Sequence, residues 1–105
     1  MLSTMVRSQT YRVGMDVIVS VKELYESQIN TRQVRVNVET DDSGEIVYYD
    51  LYNNKDGLVC MDGERCTVVA VDLYTVTLQN NNDERPAVFT LTYEEADISC
   101  FKSCI

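Results

Sequence analysis

A chain of 105 residues with seventeen acids, nine bases and neither His nor Trp is the size of one domain built on a single core. Its net charge of −8 repels phosphates and anionic membranes, which argues against direct binding to nucleic acid or to a membrane. The missing imidazole also removes the commonest general base and every Ser-His or Cys-His nucleophile pair.

Hydrophobic residues at 45% and charged residues at 25% are ordinary for a folded globular chain. The excess of acid is uneven: residues 1–38 hold five bases and three acids, residues 39–105 four bases and fourteen acids. Such a field draws in a basic protein surface at long range, and it equally serves solubility. No apolar run nears the ~18 residues of a membrane span. The opening MLSTMVRSQT has no apolar leader core and no small-residue cleavage site. The expectation is an intracellular protein whose four Cys are reduced thiols.

In chain order, residues 1–13 read as an arm that orders by pairing at a sheet edge. Gly14 marks a turn before the apolar run Val17, Ile18, Val19 and Val21, which predicts a strand. KELYESQI, Lys22 to Ile29, is richer in helix formers and predicts one short helix. QVRVNVET, residues 33–40, alternates cleanly, with Val34, Val36 and Val38 on one face. DDSGE then supplies a tight turn in which Gly44 can take positive φ. EIVYYDLY returns as the partner strand, with Ile46 and Tyr48 on one face and Val47, Tyr49 and Leu51 on the other. Turn signals at Asn53–Gly57 and Met61–Glu64 enclose the short LVC segment.

Three more strands follow: Cys66–Asp72, Tyr74–Gln79 and Ala87–Tyr93, all rich in Val or Thr, the last two with aromatics. The polar tip NNNDERP separates the last two. Glu94–Asp97 predicts a single helical or 3₁₀ turn, and Phe101 is the expected core residue of the closing segment. The fold class that results is mainly β, α+β at most. It is a small antiparallel barrel or bent sheet of five to six strands with one short helix. No linker or repeat divides residues 1–105, so they read as one domain: the arm, a strand, helix and acidic hairpin over 14–62, and a β-meander over 63–105.

Few chemistries survive inspection. Cys100 and Cys104 have zinc-ligand spacing, but Cys60 and Cys66 are six apart and no His completes a mixed site. The latter two read as small apolar core residues, and no metal or cofactor is expected. None of the four glycines lies in a phosphate-cradling loop before a helix. Adjacent acids such as Glu94 and Glu95, or Asp41 and Asp42, read as solvated surface and not as catalytic dyads, so no enzymatic activity is expected.

The feature left is the acid-rich span Glu39–Glu64, with eight acids, one base and Tyr48, Tyr49 and Tyr52. Adjacent strand residues face opposite ways, so one of Tyr48 and Tyr49 is exposed beside carboxylates. Tyr rings stack on Arg while carboxylates pair with Lys and Arg, which makes this a surface for a basic protein partner. The candidate contact residues are Glu39, Asp41, Asp42, Glu45, Tyr49, Asp50 and Tyr52, with a second group at Asp83, Glu84, Glu94 and Glu95. The bland counterpart is an edge hairpin with one half-buried Tyr and solvating charges.

Two resemblances follow from these residues. The order of strand, polar tip, strand, helical turn and last strand from Gly63 to Phe101, opening on GERCTV, resembles an SH3-like barrel. That class implies a binding module. Size, acidity and the acid-plus-Tyr hairpin together resemble the small inhibitors that phages and mobile elements deploy against host nucleases, the anti-CRISPR kind. That resemblance implies occlusion of a Lys/Arg-lined channel of a nucleic-acid-binding effector, in the host cytoplasm. The competing expectation is an SH3-like interaction module in a cytosolic or phage assembly.

Overall fold

The computed structural model describes residues 10–55 and 57–102. The strands are β1 (Asp16–Val19), β2 (Val34–Thr40), β3 (Ile46–Asn53), β4 (Leu58–Met61), β5 (Glu64–Val71), β6 (Thr75–Asn80), β7 (Ala87–Thr92) and β8 (Cys100–Lys102). Helix α1 (Val21–Ser27) lies between β1 and β2, and α2 (Tyr93–Ser99) between β7 and β8. All strand pairs are antiparallel, in one sheet ordered β7-β6-β5-β1-β8 and another ordered β2-β3-β4.

The mainly β class holds, with eight described strands against the five or six expected and two helices against one. LVC, enclosed by two turns, pairs with β3 as β4, and the last strand of the SH3-like order forms as Cys100–Lys102 and pairs with β1. The extra helix has a local cause. Thr92 and Glu95 form a capping box, so that the E-E-A-D stretch extends to a seven-residue helix in place of a single turn. Helix α1 begins at Val21, one residue before the predicted start, because the Ser20 side chain accepts the Glu23 N–H at 3.2 Å.

Strand alternation builds the core. Val17, Val19, Cys66, Val68, Val76, Leu78, Phe89 and Leu91 turn inward from the larger sheet, and Val34, Leu51 and Cys60 from the smaller, while Val59 beside Cys60 is buried as well. Phe101 is not a core residue: it is 50% exposed. It pairs with outward Ile18, while its neighbour Cys100 pairs with buried Val19 and takes the inward place. Of the expected arm, residues 1–9 lie outside the described residues. Tyr11 is buried, donating to Asp97 Oδ1 at 2.9 Å with its ring 5.9 Å from that of Tyr93.

Polar contacts tie the sheets together. Asn80 Nδ2 on β6 donates to the Val59 carbonyl on β4 at 2.9 Å. At the corner between β4 and β5, the Asp62 N–H bonds to Tyr49 and the Gly63 N–H to Val19, one partner on each sheet. Gly63 sits there at φ 86°, a region open to glycine and costly for most side chains.

Candidate interaction surface

The β2–β3 hairpin ends in a turn that its own sequence constructs. Asp41 Oδ1 accepts from the Ser43 N–H (2.9 Å), the Ser43 hydroxyl (2.7 Å) and the Glu45 N–H (3.1 Å). The Asp41 and Gly44 amides close the backbone around it. The Ser43 hydroxyl, then the Glu45 amide, hold the Asp41 carboxyl below its ordinary range. Asp41 is therefore part of the turn itself, as an Asx-type bracket, and is not interchangeable with its acidic neighbours.

Asp42, Glu45 and Glu39 project into solvent around that turn. Glu39 stands opposite Tyr48 in the β2–β3 register, so ring and carboxylate share the outward face. Tyr48 is 54% exposed, and it is the free tyrosine of the pair. Tyr49, the sequence candidate for contact, turns inward, packs against the core and meets the Tyr25 ring edge-on at 5.6 Å. Tyr52 is half-buried, with the Arg35 guanidinium 4.9 Å above its ring, so that ring already holds a cation.

Two candidates are withdrawn from the surface by burial. Asp50 is 8% exposed, and burial, reinforced by Glu39 and Glu64 and opposed by Arg85, pushes its carboxyl up. Its Oδ1, like Arg85 Nη1, finds no hydrogen-bond partner among the described residues. Glu95 is 1% exposed and structural: Oε1 accepts from the Thr92 N–H at 2.8 Å, and Oε2 from the Arg32 N–H at 2.6 Å. A carboxylate that caps α2 and holds the segment entering β2 has no face left for a partner. Asp83 and Glu84 are exposed on the β6–β7 connection, and Glu94 is exposed on the first turn of α2. Glu94 lines a groove with Asn30, Arg32, Gln33, Tyr74, Thr75 and Thr92.

The sequence reading missed two features. One is the polar hub at Glu64. Its Oε1 accepts from the Met61 N–H (2.8 Å) and Asn80 Nδ2 (2.9 Å), and its Oε2 from Asn82 Nδ2 (3.0 Å) and Arg85 Nη2 (2.5 Å). Burial opposes ionisation, and these donors together outweigh it, so the carboxyl is pushed down to about 2. The hub borders an open polar cleft of about 550 Å³ with Asp16, Arg65, Thr67 and Asn81. A carboxylate so fully engaged is a poor general base near neutral pH. The other is the β5–β6 tip. There Leu73 and Tyr74 stand 77% and 74% exposed, held by an Asp72 carboxylate that accepts both the Tyr74 and Thr75 amides at 2.8 Å. The signal was present in VDLYT: two strands one residue apart demand a tight turn, and the Asp before it brackets that turn.

Among the described residues, no group of three or more His, Cys, Asp or Glu is arranged to hold a metal ion. No helix among them is long and apolar enough to cross a membrane. Comparison with known family models, curated proteins and solved structures gives no match to this chain.

Proposed function

We propose that this is a non-enzymatic acidic binding protein that presents its β2–β3 hairpin to a basic surface of another protein. The occluded nucleic-acid channel of a host defence nuclease, as with inhibitors of the anti-CRISPR kind, is the partner that size and charge favour. The observation that carries the reading is the joint exposure of Glu39, Asp42, Glu45 and Tyr48 around a turn braced by Asp41. A rigid turn lowers the entropy lost on docking. The ring offers a face to a guanidinium while the acids pair with Lys or Arg. Charge complementarity of this kind acts mainly on the association rate, which falls as salt rises.

The test is capture from host lysate at low and high salt, then titration of the captured partner. Asp42→Lys with Glu45→Lys should abolish binding and keep the circular dichroism spectrum, and Tyr48→Ala should weaken binding. Undiminished binding by the folded double variant would move the contact off the hairpin. A second reading, an interaction module with incidental acidity, is favoured by the exposed Leu73 and Tyr74. Its binding would be nearly independent of salt and lost in Leu73→Ser with Tyr74→Ser.

A further inference from the structure

Cys60 and Cys66 are each fully buried, and their Sγ atoms lie 3.9 Å apart. They belong to different sheets: Cys60 on β4 stands opposite Leu51 of β3, and Cys66 on β5 opposite Val17 of β1 and Asn80 of β6. The two thiols therefore face each other across the seam where the chain leaves one sheet and enters the other. We propose that Cys60 and Cys66 are a modification site, forming a reversible disulfide that staples the two sheets at this corner, with a small peroxide as oxidant.

The geometry supports the pairing. The Sγ atoms need to approach by roughly 2 Å to reach disulfide bonding distance. Between the cysteines the chain leaves β4 after Met61 and enters β5 at Glu64, and the two-residue turn Asp62–Gly63 is where the strand direction breaks and the backbone can yield. The burial selects the oxidant. Side chains with no exposed surface exclude a bulky disulfide donor, whereas hydrogen peroxide is close to water in size. In the first step one sulfur attacks a peroxide oxygen, the S–O bond forms and the O–O bond breaks. The departing hydroxide takes up the thiol proton and leaves as water. The facing thiol then attacks that sulfur, the S–S bond forms and the S–O bond breaks, and a second water leaves. Two thiols lose two electrons in total, and one peroxide becomes two waters. The hydrogen bond to Cys66 and then burial push the Cys60 thiol well above its ordinary range. Thiolate is thus scarce, so the reaction is slower than that of an exposed thiol.

The consequence is mechanical. β4 is the neighbour of β3, so the staple joins the sheet that bears the acidic hairpin to the five-stranded body.

The experiment treats the folded 105-residue chain with hydrogen peroxide, then unfolds it and alkylates the remaining thiols. Digestion after Arg65 and Glu95 puts Cys60, Cys66 and Cys100 in three separate peptides. The expected result is a Cys60–Cys66 linked peptide lighter by two hydrogens, abolished by dithiothreitol and absent from Cys66→Ser. Full alkylation of both cysteines would overturn the proposal, as would sulfinic acid at either one or a link through Cys100 instead. If Cys66→Ser does not fold, Cys66→Ala serves as the control, and the linked peptide in the wild type still decides the matter.

Discussion

Glu95→Ala should be among the most damaging single substitutions in this protein, although the residue sits beside an acid that can be removed freely. Its carboxylate is 1% exposed and accepts two short bonds, from Thr92 N–H and Arg32 N–H, plus a longer one from Gln33 N–H at 3.4 Å. A hydrogen bond to a charged group contributes about 1.5–3 kcal/mol. The two short bonds therefore represent about 3 kcal/mol at the low end of that range, and the one buried methylene removed with the carboxylate adds roughly 1 kcal/mol. A loss of about 4 kcal/mol is a large part of the about 5–15 kcal/mol that holds a domain of this size together. With a urea m-value of about 1.5 kcal/mol/M, the unfolding midpoint drops by roughly 2.5 M. The assay is urea denaturation followed by circular dichroism, with Glu94→Ala as the neighbour control. Exposed Glu94 should move stability by no more than about 0.5 kcal/mol. Glu95→Gln keeps one acceptor but turns an NH₂ toward backbone donors, so it should recover only part of the loss. Equal midpoints for Glu95→Ala and Glu94→Ala would refute the reasoning.

Glu64 sets an acid limit: its folded pKa of about 2 lies below the ordinary carboxylate value, so its contribution is present above that ordinary value. It is lost as pH falls from about 4.3 through the folded value; an acid titration of melting temperature should show the slope, and Glu64→Gln should flatten it. Val34→Asp should unfold the chain, since Val34 is 2% exposed and an unpaired carboxylate there loses its water. Val36→Asp should cost less, because Val36 is only partly buried, and equal melting curves for the two would contradict this placement. Tyr49→Ala should lose about 2 kcal/mol through the Tyr25 contact and core packing. Tyr48→Ala should stay within about 0.5 kcal/mol by thermal melt, and the reverse order would exchange their faces.

Much of this protein is determined locally. The Val34-Val36-Val38 alternation, the D-D-S-G-E turn and the three β-branched runs after Glu64 each specify an element within a few residues, and each forms where the pattern placed it. Helix α2 was also written locally, as T-x-x-E from Thr92 to Glu95, though it reads as a single turn unless the capping box is recognised. Burial is another matter, because it depends on what arrives from elsewhere in the chain. Nothing near Glu95 in sequence says that the Arg32 amide will stand at its Oε2, and nothing near Asp50 announces Arg85 and Glu64. Both acids look as solvated as Asp42 until the sheets close over them. Strand alternation established that Tyr48 and Tyr49 face opposite ways, but only the assembled core, onto which Tyr49 packs on the same face as buried Leu51, decided which one turned inward. Periodicity is a property of the backbone, carried by each segment alone, whereas exposure belongs to the assembled sheets, and the candidate contact surface is made of exposure.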